Sequence, residues 1–123
     1  MQVKIDTKEI FHVITLPESA FHANMTEELG SILLTYLQKP IKNIVLSLKD
    51  IQFLDEAAAE TLIGIQQKFY EQGASFVISG LQPVVEQRLD SAGWLELMNA
   101  VPTESEAGDI VQMEEIEREL LEE

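Results

Sequence analysis

The chain has 123 residues, 46% of them hydrophobic, and no cysteine, enough for one core and none of the chemistry of disulfides, thiolate metal sites or cysteine nucleophiles. Eight basic against 22 acidic residues give a net charge of −14, which repels phosphate backbones and anionic lipid and argues against direct nucleic-acid binding or membrane docking. His12 and His22 are too few for a metal cluster, and with no membrane-length apolar run and no basic-then-apolar leader the expected location is the cytoplasm.

Residues 2–5 and 9–16 read as two short strands, with Asp6-Thr7-Lys8 as a polar hairpin turn. Alternation places His12 opposite Phe11 and Val13, as a half-exposed strand histidine. Pro17 halts the strand, and residues 16–23 form a loop. Asn24-Met25-Thr26-Glu27 has capping-box spacing, so a first helix opens there with Leu29, Ile32, Leu33, Tyr36 and Leu37 on one face, closed by Pro40.

Residues 43–48 carry Ile44, Val45, Leu46 and Leu48, the pattern of a strand covered on both faces, and this is the predicted central strand. Ile51, Phe53 and Leu54 then lead to Asp55, whose carboxylate is suited to cap a second helix beginning at Asp55-Glu56. Ala59, Leu62, Ile63, Phe69 and Tyr70 recur at helical intervals toward a sheet, and Gly73 stops the helix. Residues 75–79 form another buried strand. Pro83 suits the first turn of a third helix reaching about Ala92, with Val84, Val85 and Leu89 inward. After Gly93, the patch Trp94, Leu95, Leu97 and Met98 is expected to seal the bottom of the sheet, with partner contact by Trp94 as the alternative.

Thr103 is placed to cap a last helix, with Glu106 at the capping-box position. Its apolar stripe, Ile110, Met113, Ile116, Leu120 and Leu121, is expected to dock on the domain or on a second copy in a homodimer. Residues 104–123 hold nine acids and one base, Arg118. The expected organisation is a domain over residues 1–110 and an acidic helical extension, 111–123, packed on it. Strand and helix alternation after a hairpin implies an α/β domain with a mixed sheet of four to five strands, the second, third and fourth parallel, and about four helices.

The order of these features resembles the STAS domain, the fold named for sulphate transporters and anti-sigma factor antagonists. The resemblance rests on residues 43–48, Phe53-Leu54-Asp55, the helix after it, Gly73-Ala74, residues 75–79, Pro83-Val84 and Ser91-Ala92-Gly93-Trp94, and it covers roughly residues 1–110. Family members read Asp-Ser-Ser-Gly where this chain has Asp55-Glu56-Ala57-Ala58, so Ala57 stands at the phosphorylated serine and has no hydroxyl. The family's Gly-x-Leu-Asp loop beside that turn is also altered, with Ser19 for the glycine and His22 for the aspartate.

The resemblance implies a non-catalytic, regulatory protein-binding domain without a cofactor. In such regulators a serine kinase that is also the anti-sigma factor phosphorylates the helix-start serine, and the added charge disrupts the complex. Loss of that serine leaves a docking surface without the usual switch, and the expected partner-binding residues are Ser19, His22, Asp55, Glu56, Ala57 and Ala58. Glu56 either selects a basic partner or imitates the phosphorylated state. The alternative reading is a scaffold or accessory subunit, stressosome-like or tied to the ATPase subunit of a lipid-transport complex. Catalysis by Asp55-Glu56 is not expected, because adjacent carboxylates diverge and no histidine, serine or lysine near them in sequence completes a site.

Overall fold

The computed structural model describes residues 1–122. In chain order its elements are β1 (Lys4–Thr7), β2 (Phe11–Thr15), β3 (Ala20–Phe21), α1 (Thr26–Leu34), β4 (Asn43–Ser47), β5 (Phe53–Leu54), α2 (Glu56–Glu71), β6 (Phe76–Ser79), α3 (Pro83–Ser91), β7 (Ala100–Val101) and α4 (Glu104–Glu122). Five strands form a sheet in the order β1-β2-β4-β6-β7, antiparallel between β1 and β2 and parallel thereafter. The α/β class, the mixed sheet and the four helices are those the sequence predicts.

Successive side chains of a strand point to opposite faces, and both faces of β4 are covered. Ile44 and Leu46 join the main core beneath α1, α2 and α3, while Val45 meets Val13, Val77, Ala107 and Val111 beneath α4. The centre of the α2 face runs through Ala58, Leu62, Ile65 and Phe69. Ile63 and Tyr70, expected on that face, flank it and are only partly buried. Gly73 ends the helix region with φ +73°, which lets Ala74 N–H reach back to the Phe69 carbonyl at 2.9 Å.

The hairpin sits further along the chain than expected. Thr7 belongs to β1 rather than to the turn, because it pairs with His12 and its hydroxyl lies 2.8 Å from His12 Nδ1. His12 does face away from Phe11 and Val13, but it is buried, not half-exposed. Its Nε2 lies 3.1 Å from the Ile41 carbonyl and its ring tilts against Tyr36, so burial leaves no polar atom unpaired. Trp94 and Leu95 pack on the main core and Met98 is buried, as a seal requires, whereas Leu97 points outward.

The last helix is docked by a different face from the one expected. Ala107 and Val111 are buried, and Gly108 lets the helix approach closely, since a Cβ there would stand 3.1 Å from the Phe11 ring. Beyond Val111 the contact becomes polar. Asn43 donates to the Ile10 carbonyl (2.9 Å) and to Glu115 (3.0 Å), and its Oδ1 accepts from Ser75 N–H (2.7 Å). Arg118 donates to Ser75 Oγ (3.0 Å) and Glu115 (2.7 Å), and these bonds from Arg118 and then Asn43 hold the Glu115 carboxyl below its usual range. Tyr70 OH donates to Glu114 at 2.8 Å and receives Asn99 Nδ2 at 2.6 Å; burial, then Glu114, pushes the phenol pKa upward.

Met113, Ile116, Leu120 and Leu121 are exposed, so of the two expected partners for the stripe their own domain is not the one that covers them. The extension is therefore continuous with a helix that already starts at Glu104, and polar bonds rather than the apolar stripe hold its second half. Glu123 lies outside the described residues.

Candidate functional site

The start of α2 is built by a second, small sheet, one strand of which lies in the segment 16–23 expected to be loop. After β4 the chain turns at Lys49-Asp50, plugs the core with fully buried Ile51, and enters β5, which pairs in parallel with β3. The Ser19 carbonyl accepts from Gln52 N–H (2.6 Å) and Phe53 N–H (3.2 Å), and Asp55 N–H donates to the Phe21 carbonyl (3.3 Å). Phe21 and Leu54 point inward, while Ala20 and Phe53 are only partly covered. Two short segments distant in sequence thus become one ledge.

Asp55 closes that ledge. Its backbone is extended, and Oδ1 accepts from Ala58 N–H at 2.8 Å, the expected N-cap of α2. Oδ2 accepts from Ala23 N–H at 2.9 Å, in the 3-10 turn Ala23–Met25 that leads into α1. One carboxylate therefore satisfies amides at the beginnings of two helical segments; the capping box expected at Asn24 is not what starts α1, whose N-cap is Met25 with no side-chain bond, and Asn24 is exposed. The Ala58 amide, then the Ala23 amide, hold the Asp55 carboxyl below its usual range.

The predicted residues do come together around this bridge, with one exception. Ser19, His22, Glu56 and Ala57 are exposed, and His22 Nδ1 stands 3.8 Å from Asp55 Oδ2. Ala58 is fully buried. Its methyl belongs to the core, one step round the helix from exposed Ala57, so the expectation that both alanines face outward is corrected. Glu56 lies in the first turn, where a negative charge offsets the positive end of the helix dipole.

Five further residues, absent from the expected set, border the site. The His22 ring stands 5.3 Å from the Phe53 ring between centroids, and the Arg88 guanidinium lies over the Phe53 ring at 5.1 Å from its centre. Beside Glu56 opens a shallow depression lined by Val84, Gln87, Arg88 and Ser91. The helical spacing of Val84, Arg88 and Ser91 puts them on one side of α3, and Val84, expected inward with Val85 and Leu89, is exposed there. The nearest hydroxyl further along α2, Thr61, is turned into the helix and donates to the Ala57 carbonyl at 3.1 Å.

The arrangement is a firm, mixed-charge surface. Among the described residues no group of three or more histidine, aspartate or glutamate side chains is positioned to hold a metal ion, and no helix is long and apolar enough to cross a membrane.

Solved structures of low sequence identity share the fold. The Thermotoga maritima protein TM1081 superposes with a TM-score of 0.77 at 17% identity, over 89% of this chain and 94% of that one. A serine-to-glutamate variant of RsbS from Moorella thermoacetica gives 0.73 at 21% identity, over 91% and 96%. The anti-sigma factor antagonist SpoIIAA in its unphosphorylated form gives 0.69 at 18% identity, over 90% and 96%. The STAS domain family model matches residues 2–107, a span that holds the whole sheet, helices α1 to α3 and the Asp55 bridge, and the chain belongs to the STAS domain family.

Proposed function

We propose that this STAS domain is a non-catalytic regulatory module that binds a protein partner through the ledge at the start of α2, with Ser19, His22, Asp55, Glu56 and Ala57 at its centre. The observation that carries the reading is the pair of hydrogen bonds that Asp55 accepts from the Ala58 and Ala23 amides: they fix the loop and the helix start as one surface before any partner arrives, which lowers the ordering cost of binding. An exposed methyl at Ala57 permits close approach. The partner is of the serine kinase and anti-sigma factor type, and it is bound without release by phosphorylation at the helix start.

A cognate kinase of this type supplied with ATP is expected to leave no phosphate between Phe53 and Thr61, as mass spectrometry of the incubated protein would show. Phosphate on Thr61 would defeat this expectation. Its hydroxyl would first have to abandon the Ala57 carbonyl.

The binding surface itself is tested by titration calorimetry with the partner copurified from the native cell. Ala57→Asp is expected to weaken binding about tenfold or more, because it brings a further negative charge to the contact without a counterion. Glu56→Ser distinguishes the two roles of Glu56: tighter binding identifies the glutamate as an imitation of phosphate, and weaker binding identifies it as a contact to a basic partner. If neither variant changes the affinity, the ledge is not the docking surface.

A further inference from the structure

The second half of α4 exposes four large apolar side chains in a protein whose other apolar helix faces are largely covered. Met113 is 59% exposed, Ile116 57%, Leu120 64% and Leu121 86%. Positions 113, 116 and 120 are three and four residues apart and so form one row along the helix. The row is not left over from incomplete docking, because the inward face is fully engaged by Val111, Glu114, Glu115 and Arg118.

Charge selects the occupant. Glu106, Asp109, Glu117, Glu119 and Glu122 are all exposed around this row. Arg118, the one base between residues 104 and 123, is already spent on Glu115 and Ser75. No base lies in the last turn, so Glu119 and Glu122 stand against the negative end of the helix dipole with nothing to offset it. A second copy of α4 laid on this row would bring two such acidic faces together. A helix carrying leucine-like side chains flanked by lysine or arginine would cover the row and neutralise the helix end at once.

We infer that the outer face of α4, centred on Met113, Ile116 and Leu120, is a docking surface for a basic amphipathic helix of a partner protein. The surface is separate from the ledge. Arg118 is bonded to Ser75 and Asn43, at the beginnings of β6 and β4, whereas α2 starts beyond the far end of β4, so the two surfaces lie toward opposite ends of the sheet. This inference rests on no part of the ledge assignment.

The probe is a fluorescein-labelled synthetic helix of leucine and lysine, about five turns long, titrated with the full chain and read by anisotropy. Saturable one-to-one binding is expected, weakened about tenfold or more by the double substitution Ile116→Glu and Leu120→Glu. Attraction by charge alone would instead grow stronger, because that variant is more acidic than the parent. Both positions are exposed, so circular dichroism should show the fold unchanged. The inference is overturned by absent saturation, by a variant that binds as well as or better than the parent, or by a parent that sediments as a dimer which the variant dissociates, since a second copy would then cover the row.

Discussion

Replacing Phe21 with alanine is expected to destabilise the fold by about 3–5 kcal/mol, the range for removing a large aromatic from a closed core. Phe21 is among the largest fully buried side chains, although it lies in a two-residue strand that looks like loop. Its ring joins the main core with Leu16, Leu29 and Leu54, and its carbonyl receives Asp55 N–H. The ring therefore anchors the segment that carries Ser19 and His22. Urea denaturation should show the midpoint falling with an unchanged slope. A loss under about 1 kcal/mol would mean that the segment is not held by the core, and the ledge could not then be rigid.

Asp55→Ala is expected to cost about 2 kcal/mol, more than an ordinary cap, because the carboxylate serves two amides in place of one. The variant should also change the pH dependence of stability. Asp55 binds its proton less tightly in the folded state than in the unfolded chain, owing to the Ala58 and Ala23 amides. Its contribution is therefore complete above the ordinary carboxyl pKa and lost as pH falls through the depressed folded value. Parent and variant should converge in stability on acidification. If the difference between them were constant across that range, the two bonds would not depend on the charge. Asp55→Asn keeps an acceptor oxygen without the charge, and it should fall between the parent and the alanine variant.

Much of this architecture is legible in the sequence because it repeats. The aliphatic run Ile44, Val45, Leu46 defines a strand covered on both sides, and the recurrence of Ala59, Leu62 and Phe69 defines a helix on a sheet, although Ile65 at its centre escapes that pattern. The small sheet at the ledge was not legible, since two residues per strand carry no period and their pairing depends on contacts across the chain. The same holds for the second bond of Asp55. A capping motif describes local partners, and Ala23 is 32 residues away. The misplacement of the α4 stripe has another cause: periodicity identifies an apolar face without saying that it points inward, and here Asn43, Ser75, Asn99 and Tyr70 offered the helix a polar berth on its other side.

The smallness of the β3–β5 pairing has a consequence for how the molecule breathes. Strands β4 and β6 are buried at every position, so their amides should exchange with solvent only when the whole domain unfolds, at the full free energy of the fold. The amides of Gln52, Phe53 and Asp55 are held by only the Ser19 and Phe21 carbonyls, and that of Ala23 by one carboxylate oxygen. These four protons can therefore be released by a local opening that leaves the five-stranded sheet intact. They form a built-in set of reporters: a ligand seated on the ledge must suppress that opening and slow their exchange together, while the protons of β4 and β6 register the event only through the gain in global stability.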